Sequence, residues 1–393
     1  MSIFVLNQTK DLIWTNLKKW KRAHAKPANR ALNNVSKALS QRTTIPVLNG
    51  FVFDLKEEGI DLLASDSELT IKVFIPNVEI KHIEGKGRVI IHSKSFIEIV
   101  RNMPDNNDIT FETDDNYKIK VTSEKNLCYL NGFNPNDYPN INIDITTEPI
   151  VLKSNILREI INQTSYALST QEKNSNIIFT GMNLKINGDL LECIATDIYR
   201  LAKKNIKLNN YIDKNINIII PGKSIIELEK ILTEEDDVEI HLFNNKILFI
   251  YKNINLQTNL LSGTYPDTSH FIADNFKYMI NLNLKEFYNA INTATLFLEN
   301  KEKNIVKMQI EDKEMVITSA SDNIGNFKRN ISIDSNNKEK IEMSFNSKYM
   351  LEALRVINDE NILLLLNLNE NPILIKPITD ETLIELILPI KTY

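Results

Sequence analysis

Lys223-Ser224-Ile225-Ile226-Glu227-Leu228-Glu229-Lys230 decides the reading of this chain, because the pattern is written twice more. The other copies are Lys94-Ser95-Phe96-Ile97-Glu98-Ile99-Val100-Arg101 and Lys348-Tyr349-Met350-Leu351-Glu352-Ala353-Leu354-Arg355. In each, a Lys is followed four residues later by Glu and seven later by Lys or Arg, which stacks the three charges on one helical face. The apolar residues take the opposite face, so each copy predicts a helix that buries one side against a sheet and shows water a charged stripe. One such helix is commonplace. Three, spaced about 125 to 130 residues apart, mark an internal repeat.

Length agrees with that count. At 393 residues the chain exceeds one ordinary core. The repeat divides it into residues 1–147, 148–276 and 277–393, with boundaries near Glu148 and Phe276. Working outward from the three helices, the same order of elements recurs. A helix at Ala31–Leu39 precedes short strands at Phe51–Leu55, Gly59–Leu63, Leu69–Ile75 and Arg88–His92, then the first patterned helix and three more strands. The second pass has a helix at Asn155–Leu168 and strands at Ile177–Leu184, Leu190–Ala195, Tyr199–Ile206 and Ile216–Ile220 ahead of the central helix. The third has a helix at Leu284–Leu298 and strands at Ile305–Ile310, Met315–Ser319 and Asn326–Ile333. The fold class is therefore α+β, each repeat carrying two helices backed by antiparallel sheet. Ala64-Ser65-Asp66, Ala195-Thr196-Asp197 and Ala320-Ser321-Asp322 close matching strands. With Asp in every copy, these residues predict turns held by side-chain to backbone bonds rather than catalysis.

Composition excludes several classes. Hydrophobic residues at 42% and charged residues at 25% describe an ordinary globular chain. There is no long apolar run to span a membrane and no secretory pattern in residues 1–10, so the expectation is a cytoplasmic protein. Cys128 and Cys193 sit apart in apolar stretches, and none of the five histidines has a partner at metal-ligand spacing, so no metal and no cofactor is expected. No phosphate loop, nucleophile elbow or metalloprotease motif is present, and glycine numbers only 10, which favours a binding protein over an enzyme. Net charge is −5, yet Leu12 to Phe53 lacks any Asp or Glu and carries eight Lys and Arg residues. A basic surface and an acidic one must coexist.

Arg42-Thr43-Thr44-Ile45-Pro46-Val47-Leu48, Ala195 to Ala202, Pro221-Gly222-Lys223, Tyr265-Pro266-Asp267, Ser344 to Tyr349 and Leu386 to Lys391 resemble the bacterial DNA polymerase III beta subunit, the sliding clamp. The resemblance runs through the whole chain in order. It implies three clamp domains per chain and a head-to-tail homodimer, a six-domain ring whose helices face a hole enclosing double-stranded DNA without reading its sequence. It implies a non-catalytic subunit that tethers the replicative DNA polymerase. Lys94, Arg101, Lys223, Lys230, Lys348 and Arg355 would face the DNA, with Glu98, Glu227 and Glu352 keeping attraction weak; phosphate contacts of this kind are salt-sensitive and independent of sequence. Arg42 and Gln171 match family positions near DNA.

By position the resemblance also implies a peptide pocket for the polymerase, the clamp loader and other proteins bearing a clamp-binding motif. It would be built from Phe179, Thr196, Tyr199, Arg200, Leu201, Pro266, Phe271, Asn346, Tyr349 and the terminal Leu386, Ile387, Leu388, Pro389 and Ile390. Read alone, most of these are core or strand residues. Dimer contacts carry over to Leu130, Leu296 and Phe297. Two departures stand out. Tyr199 replaces the usual His, and an extra segment, Lys18 to Asn33, brings Lys18-Lys19-Trp20-Lys21-Arg22 beside the channel helix, to be read either as a DNA contact through Lys21 and Arg22 or as a disordered or solvated surface insertion. The competing reading is a clamp-fold interaction scaffold that does not encircle DNA.

Overall fold

Strand pairing in the computed structural model crosses the repeat boundaries twice. The structure describes residues 2–6, 27–39, 45–102, 109–123, 126–170, 176–272, 275–299, 304–335, 339–367 and 371–391. They fall into two compact units, Met1–Ser154 with Lys230–Asn259, and Asn155–Glu229 with Leu260–Tyr393.

The first unit contains an eight-stranded sheet in the order Ile150–Lys153, Asp237–Leu242, Lys246–Tyr251, Ile254–Asn259, Leu69–Pro76, Gly59–Ser65, Gly50–Lys56, Gly87–His92. Strands of the first and second repeats meet at its centre, where Thr70 pairs with Gln257 and Leu69 with Thr258. A five-stranded sheet, Ile80–Glu84, Ser2–Leu6, Ile109–Thr113, Lys118–Ser123, Asn126–Asn131, belongs to the same unit. Helices α1 (Pro27–Val35) and α2 (Ser93–Arg101) accompany these sheets. Phe96 of α2 is fully buried, its ring 5.1 Å from Phe53 and 5.2 Å from Phe111. Burying a ring of that size contributes about 2 to 3 kcal/mol.

The second unit repeats the arrangement. Its seven-stranded sheet runs Gly181–Thr196, Arg200–Pro221, Leu383–Ile387, Ile373–Pro377, Asn361–Leu366, Tyr278–Asn283, Asp334–Ser335. Here second-repeat and third-repeat strands join through Leu201 paired with Leu386 and Arg200 with Ile387. A four-stranded sheet orders Gly325–Ser332, Glu314–Ser321, Ile305–Glu311, Ile341–Asn346. Completing an edge with the neighbouring repeat satisfies backbone groups that would otherwise lie open to chance pairing. The remaining helices are α3 (Ser154–Thr164), α4 (Gly222–Ile231), α5 (Leu284–Ala294) and α6 (Ser347–Arg355).

The structure moves several expected boundaries. The first helix begins at Pro27, whose ring suits an opening turn, and ends in a 3-10 turn at Ser36–Ala38 instead of continuing to Leu39. Residues 27–33 of the expected extra segment are thus helix, and residues 18–26 lie outside the described residues. Ile177–Thr180 forms a 3-10 turn before the strand starts at Gly181. Four expected strands of the second repeat are two long ones, Gly181–Thr196 and Arg200–Pro221, interrupted only by register shifts around Gly188 at φ +63°. The Asn-rich and Lys-rich stretch between them reads as loop on composition, but strands this exposed tolerate polar side chains on both faces.

The first two Asp turns are held by the Asp as expected, whereas at the third Ser321 Oγ accepts from Ile324 N–H at 3.2 Å. Asp66 Oδ1 accepts from the backbone N–H groups of Glu68 and Leu69 at 3.0 and 2.7 Å, and Asp197 Oδ1 from those of Tyr199 and Arg200 at 3.1 Å each. Ser67 and Ile198 occupy the same turn position at φ +81° and +82°.

Candidate functional site

The three patterned helices present what their spacing predicts. Phe96 and Val100 in α2, Ile225 and Leu228 in α4, and Met350, Ala353 and Leu354 in α6 are buried. Lys94, Arg101, Lys223, Lys230, Lys348 and Arg355 are exposed. Some of these cations are steadied by neighbours: Arg101 donates to Asn33 Oδ1 at 3.0 Å, and Arg355 to the Tyr288 hydroxyl at 3.3 Å. One companion acid has a second partner. The Glu352 carboxylate takes Arg200, while its charge also acts on Arg355 of its own stripe.

That contact leads to the pocket residues, all within the second unit. Leu201, Leu386 and the half-buried Phe179 and Leu388 belong to one apolar cluster with Ile178, Tyr265 and Leu374. Ile387 joins the adjoining third-repeat core. The terminal strand is stitched on both sides: Leu388 N–H donates to Tyr199 C=O at 2.9 Å, and Ile390 N–H to Ser344 C=O at 2.7 Å. Pro389, between them, has no N–H to offer and ends the ladder. Tyr199 and Phe271 are 57% and 52% exposed. The result is an apolar cluster fixed by strand pairing, with Tyr199 exposed on the segment that holds the terminal strand. Thr196 and Asn346 do structural work: Thr196 Oγ1 accepts from Ile198 N–H at 3.1 Å, and Asn346 caps α6 by accepting from the Lys348 and Tyr349 amides at 3.0 and 3.3 Å. Pro266 is half-buried.

Arg200 is the polar centre of this assembly. Only 7% exposed, it donates to Asp197 Oδ2 at 3.1 Å and to Glu352, and its guanidinium lies 4.5 Å from the Tyr349 ring centre and 5.2 Å from that of Tyr166. A planar, always-charged group stacked on rings and clamped by two carboxylates is the geometry Arg alone supplies. Burial pushes the Asp197 carboxyl above its ordinary range, although Arg200 and the two backbone donors pull it back. Beneath lies Glu385, wholly buried on the strand that pairs with Ala202, accepting from the Tyr166 hydroxyl. Burial drives the Glu385 carboxyl well above the usual carboxylate range, outweighing Tyr166, Arg200 and Lys204. Tyr166 rises as well, from burial first and then from the Glu385 charge. Lys204, 3% exposed, donates to Glu159 at 3.0 Å and Asp380 at 2.6 Å.

Leu130 is half-buried on Asn126–Asn131, an edge strand of the five-stranded sheet whose Leu127 and Tyr129 are 53% and 70% exposed. Leu296 is 70% exposed after α5, and Phe297 is half-buried with its ring stacked on Phe327 at 5.6 Å. Lys21, Arg22, Arg42 and Gln171 lie outside the described residues.

Models of the N-terminal, central and C-terminal domains of the DNA polymerase III beta subunit match residues 28–142, 151–267 and 270–391. The beta sliding clamp of Staphylococcus aureus is 34% identical over 367 residues, 92% of this chain and 96% of that one. The chain belongs to the DNA polymerase III beta subunit family. A crystal structure of the Bacillus subtilis sliding clamp superposes with a TM-score of 0.91 at 33% identity, and one of a putative beta subunit from Eubacterium rectale with 0.88 at 29%; both cover 100% of each chain. Beta subunits are non-catalytic processivity factors, so the fold is that of three clamp domains and the chain is not an enzyme. No described helix is long and apolar enough to cross a membrane.

Residues that frame Arg200 went largely unread in the sequence. Glu352 was read only for its own helix face, Tyr166 and Lys204 left no signal, and Glu385 left a trace as a charge inside the otherwise apolar Leu383-Ile384-Glu385-Leu386-Ile387.

Proposed function

We propose that two copies of this chain close head to tail into a ring of six domains, divided in each chain at residues 1–147, 148–276 and 277–393, that encircles duplex DNA in the cytoplasm and tethers the replicative polymerase. The observation that carries the reading is the threefold helix face: in α2, α4 and α6 alike, a cation at each end of the pattern is exposed while the opposite side is buried. Contacts from such a face to phosphates are diffuse and carry no sequence information, which permits sliding. Lys94, Arg101, Lys223, Lys230, Lys348 and Arg355 line the hole, joined by Lys21, Arg22, Arg42 and Gln171.

The ring closes between unlike ends, a heterologous interface whose rotation completes a circle. Leu130 on the exposed edge strand of one copy meets Leu296 and Phe297 of the other. The polymerase, the clamp loader and other proteins with a clamp-binding motif dock at the pocket of Leu201, Leu386, Leu388, Tyr199, Phe271 and their neighbours. Tyr199 offers a phenol there in place of an imidazole.

Small-angle X-ray scattering over a concentration series tests the reading. A dimer mass with the pair-distance distribution of a hollow body supports encirclement. A monomer at micromolar concentration, or a filled particle, rejects the ring and leaves the clamp-fold scaffold in its place.

A further inference from the structure

A cavity of about 210 Å³ opens in the first unit at the junction of the first two repeats. It occupies the place that the peptide pocket occupies at the next junction. Thr70 and Gln257 pair across the sheet as Leu201 and Leu386 do. Ser65 closes the same Asp turn as Thr196, and Pro139 follows Tyr138 as Pro266 follows Tyr265. The repeat preserves the frame and changes the lining.

Where the second-unit pocket has a leucine pair, this one has hydroxyl and carboxamide groups. Ser65 and Thr70 hydroxyls are spent on each other at 2.9 Å. Gln257 is 7% exposed and lines the cavity, and no hydrogen bond within the described residues holds its carboxamide, so the group is open to cavity water and can turn to a ligand in exchange for it. Lys246, half-buried in the same lining, has no ion-pair partner among the described residues. The other charged group there, Glu68, is exposed and already accepts from Asn259 at 3.0 Å. Water screens Glu68 more than it screens Lys246, so the cavity favours an anion. Leu48 and Ile141 complete it with apolar surface.

An apolar stem ending in a group that accepts hydrogen bonds and carries negative charge fits this lining, and the volume suits a single side chain. We propose that this cavity is a second binding site, which takes the glutamyl side chain of an extended acidic peptide, its carboxylate on Lys246 and Gln257 and its methylenes against Leu48 and Ile141. The inference goes beyond the clamp reading and does not require it.

The test uses the intact chain with methyl-labelled Leu and Ile, titrated with the capped peptides Ac-Ala-Glu-Ala-NH2 and Ac-Ala-Gln-Ala-NH2. Leu48 and Ile141 report this cavity; Leu201 and Leu386 report the other. Saturable shifts at Leu48 and Ile141, about fivefold tighter for the glutamyl peptide, are expected from one partly exposed charge pair. Lys246→Gln removes the preference and Lys246→Arg restores it, the methyl spectrum itself certifying that each variant is folded. The proposal is overturned by no saturation up to about 10 mM, an affinity outside the useful range, by a preference that survives Lys246→Gln, or by shifts confined to Leu201 and Leu386. The last outcome would leave the clamp pocket intact while removing this one.

Discussion

The Arg200 guanidinium lies 4.5 Å from the centre of the Tyr349 ring, tying the start of a second-repeat strand to the first turn of α6 in the third repeat. The same helix turns Lys348 and Arg355 outward and sends Glu352 to Arg200. Pocket and helix face therefore share one nine-residue element, and substitutions at Arg200 report on its seating.

Arg200→Ala leaves Asp197 and Glu352 without their cation. Removing one partner of a buried ionic group costs about 3 kcal/mol, so the urea midpoint of the second unit falls accordingly, and binding of an apolar clamp-motif peptide weakens by at least about tenfold. Arg200→Lys recovers charge but not the stacked fork, and restores stability only in part. Equal stability of the wild type and Arg200→Ala would show that the network is solvated and idle.

Glu385 makes stability depend on pH in a direction opposite to that of most carboxylates. Its folded-state value is raised above the unfolded one, so between the two the native chain holds a proton that the unfolded chain has released. Stability therefore falls as pH rises from about 4.5 through the raised value. Glu385→Gln keeps the shape and stays neutral, so the variant gains on the wild type as pH increases. Urea midpoints taken at pH 5 and pH 8 check the sign; a difference that stays constant or shrinks would mean that Glu385 is ionised throughout.

Ile198 holds φ at +82° with its side chain 57% exposed. A β-branched residue pays steric strain there, and exposure returns little burial in compensation. Ile198→Asn accepts this conformation and raises stability by about 1 kcal/mol, read as an increased unfolding midpoint. Ser67→Asn at the matching first-repeat turn, with φ +81°, is expected to move less, since serine carries no branch at Cβ.

How much of this was legible depended on whether an interaction was local. The patterned helices were readable because a seven-residue spacing fixes which side faces water, and Lys223 and Lys230 stand where that spacing puts them. The Asp turns were readable because their bonds span two or three residues. The sheet joints were not: Thr70 with Gln257 and Leu201 with Leu386 pair across about one and a half repeats, and nothing in either strand names its partner. The second partner of Glu352 was hidden for the same reason. Its helical neighbours at Lys348 and Arg355 are visible in sequence, whereas Arg200, which it takes, comes from another repeat. The long hairpin of residues 181–221 was broken into four pieces because its middle is polar, and polar composition marks exposure before it marks a turn.

The helix-face cations set the salt dependence of DNA binding. Each phosphate contact contributes a slope of about 0.9 in the logarithmic plot of affinity against salt, so Lys223→Ala with Lys230→Ala lowers the slope by up to about 2. The loss is the same for unrelated DNA sequences, because the contacts reach phosphates alone. Fluorescence anisotropy on two duplexes of different sequence, across a salt series, measures both properties. An unchanged slope would take α4 off the DNA.

Cys128 and Cys193 give a chemical readout of ring closure. Cys193 is 1% exposed, and burial pushes its thiol up to about 12, so it stays unalkylated in the folded chain. Cys128 is half-buried on the edge strand that carries Leu130, where head-to-tail pairing with the partner's Leu296 region would cover it. Iodoacetamide is therefore expected to modify Cys128 readily in dilute protein and more slowly as concentration rises, following the monomer fraction, while Cys193 reacts only in denaturant. Leu296→Asp, which places a charge in the interface, keeps Cys128 reactive at every concentration. If Cys128 reacts at the same rate across the series while scattering shows a dimer, the two copies meet elsewhere, and Leu130 is no part of the joint.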